Sequence, residues 1–203
     1  MNFGNIFLIF FSLIFTNLTA QITIEANSSV TNKKIKIDIK EDSKQYFITL
    51  KIQDSISSNQ DYINALEKYK TEYFNLQDKS TKSDTVKLIL NRIDSLKEKN
   101  TYYSIFKNKI LKNNHKDFDE LIKLFKIKAS EYFVKNEENK NRLEIHGTSV
   151  KIIVTNETLI KTIWLQSPNE KSHPEVYDLL STTLNIFRDK KILQLDKKHT
   201  LGY

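Results

Sequence analysis

Cysteine is absent from all 203 residues of the chain. The protein therefore forms no disulfide bond and carries no lipid-anchored cysteine, although small exported domains often rely on disulfides for stability. The hydrophobic core must hold the fold without such cross-links. The roughly 180 residues that follow the first twenty are enough to build one core.

Glycine is almost as scarce, since only Gly4, Gly147 and Gly202 occur. A P-loop or a dinucleotide-binding fingerprint needs several closely spaced glycines, so that the backbone can approach a phosphate. Neither motif can be built from three isolated glycines, and a Gly-x-Ser-x-Gly nucleophile elbow is absent as well. The sequence excludes these nucleotide-binding loops, and we predict no bound cofactor.

The chain has four histidines, at His115, His146, His173 and His199. None of them has another histidine three or four residues away, which is the spacing of paired metal ligands on a helix. Because cysteine ligands are absent too, we predict no metal site. The stretch "HGTSV" brings a histidine close to Ser149, but nothing in the pattern supplies an oxyanion hole. A turn at the glycine explains this motif, and we assign no catalytic residue.

The amino terminus carries an apolar run from Ile6 to Phe15 with a single interruption. A membrane-spanning helix needs about 20 apolar residues, and this run is about half as long. Short polar residues and Ala20 follow it, which is typical of a secretory signal peptide that is cleaved before Gln21. A buried terminal strand and an uncleaved anchor are the alternatives. We expect residues 1–20 to be a signal peptide and the mature protein to be periplasmic or secreted, with no membrane span.

Basic residues outnumber acidic ones, with 32 Lys and Arg against 25 Asp and Glu, and the formal charge is +7. Such a balance can attract nucleic acid, anionic lipid or an acidic protein. The positive residues are interleaved with negative ones rather than gathered in one block. Together with the expected export, this argues against nucleic acid and favours a protein or a component of the cell envelope as the partner.

Alternating apolar and polar residues predict strands near both ends of the chain. The segments after the leader that alternate in this way are 22–25, 35–39 and 46–52. This period is typical of strands with one buried face, and the polar link 41–45 predicts a hairpin. Alternation returns at 150–154 and 163–165, where two turns would complete a three-stranded meander.

In the middle of the chain the apolar period changes to three or four residues, which is typical of helices. Stripes from Tyr62 to Leu76 and from Val86 to Leu96 predict a helical hairpin. Further helices are predicted by a stripe from Phe118 to Phe133 and by Pro174 with the stripe behind it. The segment 99–116 fits either a helix or a strand.

These elements predict one α+β domain over residues 21–203. Its antiparallel sheet is built from the N- and C-terminal strands, helices pack on one face, and the helical hairpin lies in the middle. The alternative is a chain of two units, in which the middle helices form an arm.

Two surfaces are candidates for partner binding. Trp164 is the only tryptophan, and alternation places it on the polar side of its strand, away from Ile163 and Leu165. An exposed aromatic residue on a sheet can anchor a sugar, a base or a protein, although a helix can equally cover it. The second candidate is a basic stretch that comprises Lys107, Lys109, Lys112 and Lys116. On a helix, some of these lysines would share one flank and could meet phosphates or anionic lipid heads.

Three triplets, at 54–56, 84–86 and 94–96, have the pattern Asp-Ser/Thr-apolar. They resemble the acceptor motif for O-glycosylation of exported proteins in Bacteroidota. That resemblance would place a glycan on Ser55, whereas Thr85 and Ser95 fall at the start and inside of a predicted helix. The leader, the triplets and the abundance of Lys, Asn and Ile together resemble small exported proteins of that group. The resemblance implies an extracytoplasmic location and no particular activity.

The sequence as a whole predicts an exported, non-enzymatic binding module for a protein or an envelope component, for example of the immunity or inhibitor type. One alternative is a hydrolase that uses His146 or carboxylates. It predicts a deep pocket where several titratable groups with shifted pKa values converge. The other alternative is a structural envelope protein that self-associates through its helical arm, and the sequence leaves the oligomeric state open.

Overall fold

The fold was analysed in a computed structural model, which describes residues 21–77, 83–134, 147–156, 159–190, 200–201 and 203. Its strands are β1 (Gln21–Ser28), β2 (Lys34–Glu41), β3 (Gln45–Ile56), β4 (Thr101–Leu111), β5 (Thr148–Thr155) and β6 (Ile160–Gln166). Its α-helices are α1 (Gln60–Gln77), α2 (Ser83–Lys99), α3 (Lys116–Ile127), α4 (Ser130–Val134) and α5 (Pro174–Asp189).

The chain divides into two compact units. The hairpin unit is Gln53–Ser104, and the sheet unit consists of the residues up to Ile52 together with those from Ile105 onward. The first contains α1 and α2, and the second contains most of the sheet with the remaining helices.

The six strands form one antiparallel sheet in the order β4-β3-β2-β1-β5-β6. Strands from both ends of the chain meet at its centre, where Ile24 of β1 lies opposite Ile37 of β2 on one side and Ile152 of β5 on the other. Ile37 in turn lies opposite Leu50 of β3. These apolar residues all occupy one face because side chains alternate along a strand. The predicted α+β class, with a sheet built from the N- and C-terminal strands, is confirmed.

Helices cover the apolar face of the sheet and complete the core of the sheet unit. Phe118, Ile122 and Phe125 of α3 belong to the same buried cluster as the strand residues. From α5 the cluster includes Val176, Leu179, Leu180, Leu184, Ile186 and Phe187. Burying each large apolar side chain contributes about 1.5–3 kcal/mol relative to leaving it exposed. This layer makes the sheet unit a stable support for the side chains on the opposite face of the sheet.

A tight turn joins β2 to β3, as the polar link predicts. The backbone N–H of Asp42 donates to the carbonyl oxygen of Gln45 at 3.0 Å. The Asp42 carboxylate accepts the backbone N–H groups of Lys44 and Gln45, each at 2.8 Å. The bond from Lys44 is the main reason that the pKa of Asp42 lies below its usual value. The turn is therefore closed by the type of residue that favours turns.

The predicted stripe from Phe118 to Phe133 is divided between two helices, so one continuous helix is the wrong expectation here. α3 ends at Ile127, and Lys128 has an extended backbone before α4 begins. The reason lies in β6, because the buried ammonium of Lys161 donates to the carbonyl oxygens of Phe125 and Lys128. A cation at the carboxyl end of a helix stabilises its free carbonyl groups.

The hairpin unit is the predicted pair of helices. The Asn59 side chain accepts the backbone N–H of Tyr62 at 2.8 Å at the start of α1, as N-cap residues do. Tyr62 and Ile89 are buried, whereas Leu90, which the apolar stripe placed inside, is exposed. None of the helices in the described part of the chain is long and apolar enough to cross a membrane.

Candidate binding surface

The side of the sheet that faces away from α3 and α5, here called the open face, carries the alternate residues of each strand, and these are partly or fully exposed. In the sheet unit its basic members are Lys34, Lys36, Lys40, Lys51, Lys107, Lys109 and Lys151. Its acidic members among the described residues are Glu25 and Asp38. The lysines exceed the carboxylates by five, so the open face has a strongly positive potential.

Trp164 lies at one end of a row that crosses five strands. It is opposite Lys151 of β5, which is opposite Glu25 of β1, and the row continues through Lys36 of β2 to Lys51 of β3. The indole is 73% exposed, so the predicted side of the strand is where the structure places it. The row therefore combines an aromatic anchor with three ammonium groups and one carboxylate.

The two carboxylates neutralise only part of this charge. Glu25 lies 3.4 Å from the ammonium of Lys36, and Asp38 lies 3.7 Å from that of Lys51. Within the residues that the structure describes, Lys107, Lys109 and Lys151 form no ion pair with a carboxylate. These ammonium groups are available to an anionic partner, whose charges would not have to displace an existing pair.

Other large apolar side chains are exposed on the same face. They are Phe47, Ile105, Leu111 and Ile160. The ammonium of Lys109 lies 5.5 Å from the centre of the Phe47 ring, within the range of a cation–π contact. Exposed aromatic and apolar side chains are the groups that the core of a protein interface contains, and the lysines beside them suit its polar rim.

An open pocket of about 380 Å³ lies beside β3 and β4. Its lining includes Phe47, Thr49, Lys107, Asn108, Lys109 and Lys190. Asn108 is buried, accepts from the Lys190 ammonium at 2.5 Å and donates to the carbonyl oxygen of Ile186 at 3.4 Å. Asn108 thus holds Lys190 in place, and three ammonium groups border a space that suits an anionic side chain or headgroup.

The structure does not bring the four predicted lysines together. The segment 99–116, which fits either element by sequence, is mostly strand β4, so Lys107 and Lys109 lie on the open face. Lys112 follows β4 in a short 3₁₀ turn, where its ammonium lies 3.3 Å from Glu41 and 5.0 Å from the centre of the Tyr46 ring. Lys116 is exposed as the first residue of α3. Only the first two therefore share a surface with Trp164.

Ser55, the predicted glycan acceptor, is exposed near the end of β3. The neighbouring Asp54 accepts the hydroxyl of Ser104 at 2.8 and 3.0 Å. Thr85 and Ser95 are exposed within α2. Glycosylation requires an accessible hydroxyl, which the exposed Ser55 provides. The modification itself stays a prediction.

Titratable groups with shifted pKa values gather at Tyr46. Its hydroxyl donates to Asp119 at 2.6 Å, and burial together with this bond raises the pKa of Tyr46 far above its usual value. Burial alone would raise the pKa of Asp119, but the bonds from Lys123 and Tyr46 outweigh it and lower that pKa. Tyr46 is only 1% exposed and also stacks edge-on against Phe118. The cluster joins the β2–β3 hairpin to α3, and a substrate could not reach its hydroxyl.

Of the serine and histidine that the "HGTSV" motif brings close in sequence, the structure describes only the serine. His146 lies outside the described residues, and the Ser149 hydroxyl donates to the carbonyl oxygen of Asn27 at 3.5 Å. Another Ser–His contact exists, because Nδ1 of His173 lies 2.9 Å from the Ser172 hydroxyl, but both residues are buried. Among the described residues, no group of three or more His, Asp or Glu side chains could hold a metal ion.

The groups on the open face are suited to binding a partner. Its lysines offer charge-assisted hydrogen bonds, and its exposed aromatic residues offer apolar anchors. Sequence alternation alone located Trp164, but it missed Phe47, Asn108 and Lys190, because only the folded chain brings these to the pocket. No family model, no curated protein and no solved structure matches this chain.

Proposed function

We propose that the protein is an exported binding module whose open face holds a partner protein with an acidic surface. The observation that carries this proposal is the excess of five lysines on one face of the sheet, which also exposes Trp164 and Phe47. The apolar leader at residues 6–15, which is too short to span a bilayer, supports export. Its immunity or inhibitor form would cover the acidic site of another protein.

The size of the open face suits a protein partner. Six strands about 4.8 Å apart span about 24 Å, and seven residues of a strand span about 23 Å. The side chains add accessible surface to this projected area. The total approaches the contribution of each partner to a standard interface, which is about 800 Å². An aromatic anchor often contributes much of the binding energy, and the lysines on the neighbouring strands raise the association rate with an acidic partner.

A matched pair of variants tests the proposal. Lys109→Glu/Lys151→Glu reverses two charges on the open face, and Lys116→Glu/Lys171→Glu reverses two exposed charges that lie elsewhere on the sheet unit. Wild-type protein and both variants would be used to capture partners from an extract of the extracytoplasmic fraction. We expect the first variant to lose the partner and the second to retain it. Retention by both variants would contradict the proposal.

The nature of the partner is tested in the same series. We expect Trp164→Ala to weaken capture at least about tenfold, as truncation of an aromatic anchor does. Binding should also decrease with salt, because exposed charges are screened over about 8 Å at physiological ionic strength. If protease treatment of the extract leaves the captured material intact, the partner is an anionic envelope polymer or lipid, and the proposal of a protein partner is wrong.

A further inference from the structure

We infer a second binding surface, on the hairpin unit, that fits a second copy of the same chain. The exposed side of α1 carries Ile63, Glu67, Lys70 and Phe74. Their spacing of four, three and four residues places them on one line along the helix, as in the seam of a coiled coil. This seam is distinct from the inward stripe of α1, which begins at the buried Tyr62.

The seam has the same chemistry from either end. It is apolar, charged, oppositely charged and apolar, in the order Ile63, Glu67, Lys70, Phe74. When two copies of α1 pair antiparallel, Ile63 of one copy meets Phe74 of the other, and Glu67 meets Lys70. Each pair occurs twice, as a two-fold symmetric interface requires. In an antiparallel coiled coil, the a positions of one helix lie opposite the d positions of the other, and residues 63–74 follow this alternation.

The symmetry axis of this pairing crosses α1 at its centre. It passes between Lys68 and Tyr69, which is also the midpoint of Gln60–Gln77. The two helices therefore overlap along their whole length of about 27 Å. A register set by the charged pair thus also gives the longest possible contact between the helices.

The charged pair selects the antiparallel orientation. Within one chain the ammonium of Lys70 lies 3.4 Å from Glu67, and both side chains are well exposed, so this pair adds little to the stability of the single hairpin. Between two copies, the antiparallel register sets opposite charges against each other. A parallel register would set Glu67 against Glu67 and Lys70 against Lys70, which like-charge repulsion disfavours.

The seam fits a second copy better than an unrelated partner for two reasons. Ile63 and Phe74 are 39% and 61% exposed, and each is the apolar partner that the other needs. The hairpin unit contains eight acidic and eight basic residues, so two hairpins approach without net repulsion. This surface does not depend on the open face, and a dimer would present that face twice.

Charge reversal tests this surface in the purified full chain. We expect sedimentation equilibrium to show a reversible dimer. Glu67→Lys and Lys70→Glu should each weaken it at least about tenfold, because each sets two like-charge pairs in the interface. The double variant Glu67→Lys/Lys70→Glu restores opposite pairs and should dimerise within about threefold of the wild type. Lys68→Glu, on the same helix but off the seam, is the matched control and should leave the dimer within about threefold as well.

Cross-linking tests the orientation, which the absence of native cysteine makes simple. Under oxidation, a mixture of the single variants Glu67→Cys and Lys70→Cys should form a disulfide-linked dimer, because each chain then carries one cysteine and cannot close a bond within itself. Ile63→Cys alone should not, because antiparallel helices hold its two copies about 16 Å apart along the axis. Circular dichroism of every variant confirms that the helices remain folded.

Three results would overturn the inference. They are a wild-type chain that is monomeric at all concentrations, a charge-swapped double variant no better than either single one, and preferential cross-linking of Ile63→Cys. The assay contains no other macromolecule, so its result is independent of the partner of the open face.

Discussion

The sheet unit and the hairpin unit differ in how much apolar surface each buries. In the described part of the sheet unit, 27 apolar side chains form one buried cluster. In the described part of the hairpin unit, the buried apolar residues are Tyr62 and Ile89, while Phe74 and Leu88 are exposed. Burial of apolar surface is the main source of stability, so the sheet unit should resist unfolding far better than the hairpin.

Charge separates the two units as well. The hairpin unit has equal numbers of acidic and basic residues, so the whole formal charge of +7 belongs to the rest of the chain. A positive surface suits an acidic partner, whereas a neutral helix pair with exposed apolar residues suits its own copy. We therefore expect the two units to bind different partners.

The largest effect is expected from a core substitution in the sheet unit. Phe125 is fully buried, and its ring centre lies 4.3 Å from that of Phe133. Phe125→Ala should lower the free energy of unfolding by about 3–5 kcal/mol, since it leaves a cavity. Phe74→Ala, in the hairpin, should change it by no more than about 0.5 kcal/mol in the monomer. Urea denaturation at low protein concentration measures both, and equal losses would contradict the contrast between the units.

A smaller and more local effect is expected in the hairpin. Ile89 is 1% exposed, and Ile89→Ala should cost about 2–4 kcal/mol at its site. Because the hairpin has so few other buried residues, its amides should lose their protection against hydrogen exchange while those of β1, β2 and β5 keep theirs. If the strands lose protection together with the helices, the hairpin does not open as a separate unit.

The smallest effect concerns pH. Burial lowers the pKa of His173 below its usual 6.5, although Glu175 acts in the opposite direction. The unfolded chain therefore takes up this proton more readily, so the free energy of unfolding falls as the pH drops below 6.5 towards the folded-state pKa. His173→Asn should reduce this decline by at most about 1.4 kcal/mol per pH unit.

Titration of wild-type and variant stability between about pH 7 and about pH 5 measures this term. Gln53–Ser104 contains no histidine. The free energy of local opening of the hairpin, measured from the hydrogen exchange of its amides, should therefore show no such decline. An unchanged decline in the variant would show that His173 is not its source.

Much of the fold could be predicted because strands and helices in this chain follow regular periods. The strands around Ile24, Ile37 and Leu50 alternate without a break, and each lies in the sheet with the expected face inward. The segment 99–116 could not be assigned, since its apolar residues fit both periods. The end of α3 was missed because the side chain that binds its carbonyl groups, Lys161, comes from a strand distant in sequence.

The candidate surface was predictable only in part for the same reason. Alternation places Trp164 outward from local sequence alone. The lysines that accompany it come from different strands, and sequence proximity grouped Lys112 and Lys116 with Lys107 and Lys109. Tertiary contacts separate them, because Glu41 attracts Lys112 and α3 begins at Lys116. A surface made of strand neighbours becomes visible only once the strand order is known.

Lys161 also bears on the alignment of β6 with β5. A slip of one residue would turn every side chain of β6 to the opposite side, which would bury Trp164 and bring Ile163 and Leu165 into water. Such a slip would also pull the Lys161 ammonium away from the two carbonyl oxygens that it contacts. The buried Lys161 therefore fixes the register of β6 against β5, and this register keeps Trp164 exposed to solvent.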